Sequence, residues 1–254
     1  MLFGVVGDPG NPVGVLVSPK RMIKLRCEAP EREGLCYAAA NTTVPVPKVY
    51  RVHQRDGKLA IEMEYFRGSQ DLWSGWRTLS PEQKGSVVDD VAAYVKQLRD
   101  LVPSEAQKIS STAGGPCRDI RIANVKLFGP FKDSTAFHEC VRGGMSLEEA
   151  SKSFSDTVIR VHERKYDVKF THGDLGAQNI LVREGRVVAI VDWECAGWYP
   201  EYWEYTKAHY NYVYVPEFYD MLVQAIDRYD EQLKAERELW RMFDHPLDDF
   251  IAGP

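Results

Sequence analysis

Between residues 171 and 192 the chain sets an acid, an amide and a second acid at spacings suited to metal-dependent phosphoryl transfer. Asp174 stands in the run Thr171-His172-Gly173-Asp174-Leu175-Gly176-Ala177-Gln178-Asn179, and Asp192 follows Asn179 by thirteen residues in Ile190-Val191-Asp192-Trp193-Glu194. The residues between make the spacing chemical. Ile180-Leu181-Val182 reads as a short buried strand, Arg183-Glu184-Gly185 as a tight turn, and Val187 to Val191 as the returning strand. A hairpin of that size predicts Asn179 and Asp192 side by side. An amide oxygen and a carboxylate are hard oxygen ligands, the kind that hold Mg2+ together with substrate phosphates. Asp174 would lie beyond them, placed to accept a proton from an incoming hydroxyl.

The elements that must position these loops fall into two groups. Up to residue 66 the pattern is strand-like, over Val13 to Val17, Met22 to Leu25, Lys48 to His53 and Leu59 to Phe66, with Asp56-Gly57 as the turn between the last two. One helix interrupts it around Glu31 to Ala40. Beyond Gly68 the pattern becomes helical. Ser80-Pro81-Glu82-Gln83 has an N-cap, a proline in the first turn and the Gln of a capping box, and Val87, Val91, Val95, Leu98 and Leu101 recur at helical spacing. A second capping box, Ser146-Leu147-Glu148-Glu149, predicts a helix lined by Leu147, Phe154, Val158 and Val161. A third long helix is expected from Pro216 past Tyr229 and Leu233 toward Trp240. The expectation is an α+β, two-lobed fold: a small β-rich N-lobe over residues 1–66, a larger, mainly helical C-lobe over 67–254, and a ligand cleft between them.

Composition bounds the class. The chain has 254 residues, enough for one large or two-lobed domain, and its 44% apolar and 27% charged content is that of an ordinary folded protein. Acidic residues exceed basic ones, 37 to 32, for a net charge of −5, which argues against non-specific nucleic-acid binding. Five widely spaced cysteines without a C-x-x-C pair predict neither a disulfide framework nor a zinc site, and so a reducing, cytoplasmic setting. The opening Met1-Leu2-Phe3-Gly4-Val5-Val6-Gly7-Asp8 lacks a basic stretch and is interrupted before an apolar core forms, so no signal peptide or membrane span is expected. Oligomeric state has no signal in the sequence.

The His-Gly-Asp run, the Asn five residues beyond its Asp and the downstream Asp resemble the catalytic and metal loops of the aminoglycoside phosphotransferase and choline kinase superfamily, which has a protein-kinase-like fold. The resemblance extends upstream. Met22-Ile23-Lys24-Leu25 is similar to the third strand of the small lobe, Glu31-Arg32-Glu33 and Val44-Pro45-Val46-Pro47-Lys48-Val49 to the helix and exit turn after it, and Ile61 to Gly68 to the hinge strand. Gly129-Pro130-Phe131 and Ala196-Gly197-Trp198-Tyr199-Pro200 resemble the fungal-type branch.

This resemblance implies an ATP- and Mg2+-dependent kinase that transfers the γ-phosphoryl group to the hydroxyl of a small molecule. Asp174 would be the catalytic base, and Asn179 and Asp192 the metal ligands. Lys24 would hold the α- and β-phosphates, oriented by a helix glutamate; counting back from Pro45-Val46-Pro47 selects Glu33, with Glu31 as second choice. Backbone groups near Glu64 and Phe66 would read the adenine. His172 would support the loop rather than act as base. In the aromatic run after Asp192, Trp203 reads as core, and Glu194 and Glu201 as candidate substrate contacts. The stretch Gly7-Asp8-Pro9-Gly10-Asn11-Pro12-Val13-Gly14 departs from the kinase pattern, because its two prolines lack N–H donors that would face phosphates. Few residues precede it, which predicts a short first strand or none. These departures motivate the alternative of a non-catalytic nucleotide- or metabolite-binding pseudokinase. Protein kinase activity is disfavoured by the missing Asp-Phe-Gly and Ala-Pro-Glu.

Overall fold

The computed structural model describes residues 4–6, 13–55, 58–119, 127–212 and 214–242. The Asp56-Gly57 turn and residues 7–12 of the glycine-rich stretch lie outside them. The first lobe is one antiparallel sheet of β1 (Gly4–Val6), β2 (Gly14–Ser18), β3 (Arg21–Cys27), β4 (Val49–Arg55) and β5 (Lys58–Glu64), in the order β1-β2-β3-β5-β4. Alternation along β5 turns Ile61 and Met63 into the core. Between β3 and β4 runs α1 (Ala29–Asn41), with Pro30 in its first turn and Leu35 and Ala38 buried.

After a hinge at residues 65–69 come β6 (Gln70–Asp71), α2 (Leu72–Gly75) and α3 (Pro81–Arg99). α3 begins with the expected Ser80/Gln83 capping box and buries Val87, Val91, Val95 and Leu98 along one face. Short strands β7 (Ser110–Ser111), β8 (Cys117–Arg118) and β9 (Leu127–Phe128) precede α4 (Ser134–Val141), α5 (Leu147–Ala150) and α6 (Asp156–Glu163). The site-bearing segment follows as β10 (Val168–Thr171), β11 (Ile180–Arg183), β12 (Arg186–Ile190) and β13 (Gly197–Pro200). The chain then runs through α7 (Trp203–Tyr210), α8 (Pro216–Ala225) and α9 (Asp230–Met242). β13 pairs antiparallel with β10, and β12-β11-β6 form a second small sheet. Trp193, Trp203, Tyr199, Tyr202 and Phe170 are fully buried, so Trp203 is core.

Two expected helices are each broken in two. The helix opened by Ser146 stops at Ala150 and resumes at Asp156, because Ser155 is drawn to Glu238 of α9, through its N–H at 2.6 Å and its hydroxyl at 2.6 Å. Serines at 151, 153 and 155 favour such local alternatives to the helical ladder. The last helix is interrupted over residues 226–229. Arg99 of α3 takes the Tyr229 hydroxyl at 2.6 Å and lies 3.4 Å from the Asp227 carboxylate, and Ile226 turns extended. All five cysteines are free thiols. Among the described residues no helix is long and apolar enough to cross a membrane.

Candidate active site

The β11–β12 hairpin has the size its sequence predicts, turning through Glu184 and Gly185. Arg186 pins it to Asp90 of α3 at 2.9 Å. Its two ends meet where the Val191 N–H donates to the Asn179 carbonyl at 2.9 Å. Asp192 follows in a left-handed backbone conformation, φ 66° and ψ 62°, uncommon for a residue with a Cβ. Such a conformation costs about 1–3 kcal/mol and persists only where the surroundings enforce it. Here the Trp193 indole, fully buried, is fixed by donating to the Ile190 carbonyl at 2.9 Å.

Asp174 stands at the end of β10, after Gly173 at φ +80°. A Cβ on Gly173 would come within 2.5 Å of the Cys195 carbonyl oxygen, so the loop needs glycine for conformation and for space alike. Two amides hold the Asp174 carboxylate: Asn179 Nδ2 donates to Oδ2 at 3.0 Å, and Asn211 Nδ2 to Oδ1 at 3.2 Å. Asn179 Nδ2 also reaches the Asp174 carbonyl at 2.8 Å, so its nitrogen is committed to Asp174 and its amide oxygen remains as a ligand atom.

His172 is completely buried and supports this loop from beneath. Its Nε2 lies 3.1 Å from the Val191 carbonyl, which can only accept, so Nε2 carries the proton and Nδ1 accepts the Asp174 N–H at 3.3 Å. Burial lowers its pKa, in keeping with that neutral form. Its own N–H donates to Glu204 Oε2 at 2.7 Å. Burial pushes the Glu204 carboxyl up to about 7, against the pull of the His172 and Gly173 N–H groups.

Lys24 reaches across from β3. Its ammonium lies 2.7 Å from Glu31 and 3.1 Å from Asp192, joining the two lobes. Burial alone would lower the Lys24 pKa, but the two carboxylates outweigh it and hold the group firmly protonated. Asp192 is the converse: burial disfavours its charge, yet Lys24 keeps its pKa below the ordinary value. Glu31 is pushed up to about 7, chiefly by burial, with Lys24 opposing.

The helix partner of Lys24 is therefore Glu31 and not Glu33. Glu33 is two positions further along α1, about 200° round the helix, while Glu31 is 1% exposed beneath the ammonium. What sets this phase is Gly34. A Cβ there would lie 2.6 Å from the Trp193 carbonyl and 2.9 Å from the Ala196 Cβ, so α1 seats directly on the turn that follows Asp192. Tyr37, one turn later, packs on Phe170 and Trp198 at ring distances of 4.9 and 6.0 Å.

In the hinge, the Glu64 N–H donates to the Lys48 carbonyl at 2.9 Å, and the Phe66 carbonyl accepts from Ser69 N and Oγ at 3.2 and 2.7 Å.

Glu31, Asp192 and Glu194 bring ligand oxygens within 4.8 Å of one another. With the Asn179 amide oxygen on the adjoining strand end, the donors are all hard oxygens, a set that suits Mg2+ rather than a soft metal. Glu194 is half-buried and beside the site. Glu201 is not: it lies beyond Pro200, and the pairing of Pro200 with Val168 and Gly197 with Thr171 puts it at the opposite end of β10–β13 from Asp174. There it accepts from the Tyr229 hydroxyl at 3.1 Å. Asn211 and Glu204 were invisible to sequence reading, since nothing in a local motif announces a helix residue that reaches a loop some thirty residues away.

A model of the family described as phosphotransferase enzyme family matches residues 28–240. No curated protein sequence matches the chain. Among solved structures, a thermostable mutant of aminoglycoside phosphotransferase APH(4)-Ia in ternary complex with ADP and hygromycin B is similar at a TM-score of 0.64 and 11% identity, over 94% of this chain and 84% of that one. The GDP and kanamycin complex of APH(2")-IIIa is similar at 0.60 and 15% identity, over 95% and 82%. At these identities the likeness establishes the bilobal, kinase-like fold, and nothing in it selects the fungal-type branch.

Proposed function

The chain belongs to the phosphotransferase enzyme family, and from that premise we propose that it is an ATP- and Mg2+-dependent kinase of a small, hydroxyl-bearing molecule, aminoglycoside-phosphotransferase-like and cytoplasmic. The nucleotide would lie between residues 1–66 and 67–254. The observation that carries the reading is the Asp174 carboxylate, held by Asn179 and Asn211 one loop away from the Lys24–Asp192 contact. A carboxylate fixed at both oxygens by neutral amides is held in one orientation, which is what a base for an incoming hydroxyl needs.

Each residue then has a task. Lys24, seated by Glu31, would exchange its contact with Asp192 for the nucleotide phosphates. The Glu64 carbonyl and Phe66 N–H would meet the adenine edge. Asn179 and Asp192 would hold Mg2+, which when bound supplies positive charge against the phosphates. Asp174 would orient the acceptor hydroxyl and take its proton as the phosphoryl group transfers. The nucleotides and aminoglycosides in the complexes of the similar structures support this assignment of the cleft.

The test is direct. Melting of the purified chain should rise with ATP plus Mg2+ more than with ATP alone, and ADP release should appear over a panel of hydroxylated amines, sugars and aminoglycosides. A nucleotide-dependent shift with no ADP release from any acceptor would favour a pseudokinase, and no shift at all would remove the kinase reading.

A further inference from the structure

Arg118, at the end of β8, is anchored in the larger lobe, where its carbonyl accepts from the buried Tyr199 hydroxyl at 3.3 Å. Its guanidinium meets two carboxylates. Nη1 donates to Glu28 Oε2 at 2.6 Å, and Nε lies 3.3 Å from Glu194 Oε1. These two acids belong to different lobes. Glu28 is the N-cap residue of α1, makes no side-chain cap and stands three residues ahead of Glu31. Glu194 lies two residues after Asp192, on the turn that α1 packs against. The side chains of Arg118 and Glu194 are 14% and 24% exposed, so solvent screens that pair less than it would on an open surface, whereas Glu28 is half exposed.

Geometry gives this contact its purpose. The Gly34 close approach fixes α1 on the larger lobe near its middle and leaves the first turn, which carries Glu31, to be held separately. A guanidinium presents its donors as a rigid planar fork and can span two carboxylates at a set separation, as a flexible ammonium cannot. If Lys24 exchanges Asp192 for phosphate, Glu31 would have to stay in place, and besides the burial of Pro30 and Glu31 the link from Glu28 through Arg118 to Glu194 would restrain that turn.

We propose that Arg118 is a positioning residue of the phosphoryl-transfer site, tying Glu28 to Glu194 across the lobes and so fixing Glu31, and through it Lys24, for phosphate binding. The proposal rests on reading the cleft as a nucleotide site, so its test has one measurement made without nucleotide. In hydrogen–deuterium exchange of the full chain, Arg118→Ala should speed exchange across residues 29–41 relative to the parent, with α3 unaffected. The same variant should raise KM for ATP by about tenfold, the scale of losing a supporting contact, and leave KM for the acceptor unchanged. Glu28→Gln should act in the same direction, and Arg118→Ala/Glu28→Gln should be no worse than Arg118→Ala alone, because both remove one link. Arg118→Lys should recover only part of the loss.

Unchanged α1 exchange and unchanged KM for ATP in Arg118→Ala, additive effects in the double variant, or full recovery by lysine would each overturn the proposal. A parent chain that binds no nucleotide at roughly millimolar concentration overturns the kinase reading, and the proposal with it. Normal parent binding with unaffected variants overturns the proposal alone.

Discussion

Asp174 owes its candidacy to what surrounds it, because a lone aspartate in a loop is more often a turn former or cap. Both of its oxygens accept from amide nitrogens, an arrangement that orients the group. Asp174→Asn is expected to lower turnover by about 10²-fold or more, the scale of a positioned base, while ATP affinity by calorimetry stays near that of the parent. Unchanged turnover with a verified acceptor would remove Asp174 from the mechanism. A second residue-scale expectation concerns Glu204, which holds the His172 N–H and so the catalytic loop. Its folded pKa, raised by burial to about 7, lies above its ordinary 4.5. The folded state therefore binds the extra proton, and Glu204 contributes stability that is present below about 4.5 and lost as pH rises through about 7. Glu204→Gln keeps the acceptor and deletes the titration. Its melting temperature relative to the parent should rise between about pH 5 and pH 8, and a difference that stays flat across that range would show that Glu204 is not titrating there.

At the scale of elements, the site depends on the fit of α1 against the turn after Asp192. Gly34 is what allows it, since any Cβ would meet the Trp193 carbonyl and the Ala196 side chain inside contact distance. Gly34→Val should force α1 away from that turn and lengthen the Lys24–Glu31 contact. The expected result is a stability loss of about 1–3 kcal/mol, the usual range for overpacking a close-packed contact, together with weaker ATP binding. Melting and calorimetry on the same preparation measure both. Retained ATP affinity would mean that Lys24 binds phosphate without α1.

For the whole molecule, a nucleotide held between two lobes is a ligand of the folded state and should stabilise it as a unit. At a hundredfold excess over Kd that stabilisation is about 2.7 kcal/mol, and a chain near this size gains about 2–4 °C in Tm per kcal/mol. Scanning fluorimetry with ATP should therefore show a clear upward shift, larger with Mg2+ than without. In Asp192→Ala the magnesium-dependent part should vanish, because the neutral Asn179 amide cannot replace a carboxylate on a hard cation. A full magnesium-dependent shift in that variant would mean the metal site has been misplaced. Asp192 also contacts Lys24 from the other lobe, so a small loss of stability without any ligand should accompany the change.

The sequence by itself determined the features that depend on neighbours along the chain. The hairpin that aligns Asn179 with Asp192, the capping box at Ser80 and the change from strands to helices near residue 66 all follow from local spacing and turn chemistry. The tertiary structure decided what depends on two distant segments meeting. Whether Glu31 or Glu33 faces Lys24 was set by the rotational phase of α1, which Gly34 fixes against a turn some 160 residues later. The helix expected from Pro216 broke before Asp230 because Arg99 of another helix drew in Asp227 and Tyr229, and Glu201 fell outside the site because strand pairing carried it to the far end. Asn211, Glu204 and Arg118 act on groups 37, 32 and 90 residues away. Local pattern encodes conformation over a few residues, whereas contact between such distant groups exists only once the chain has packed.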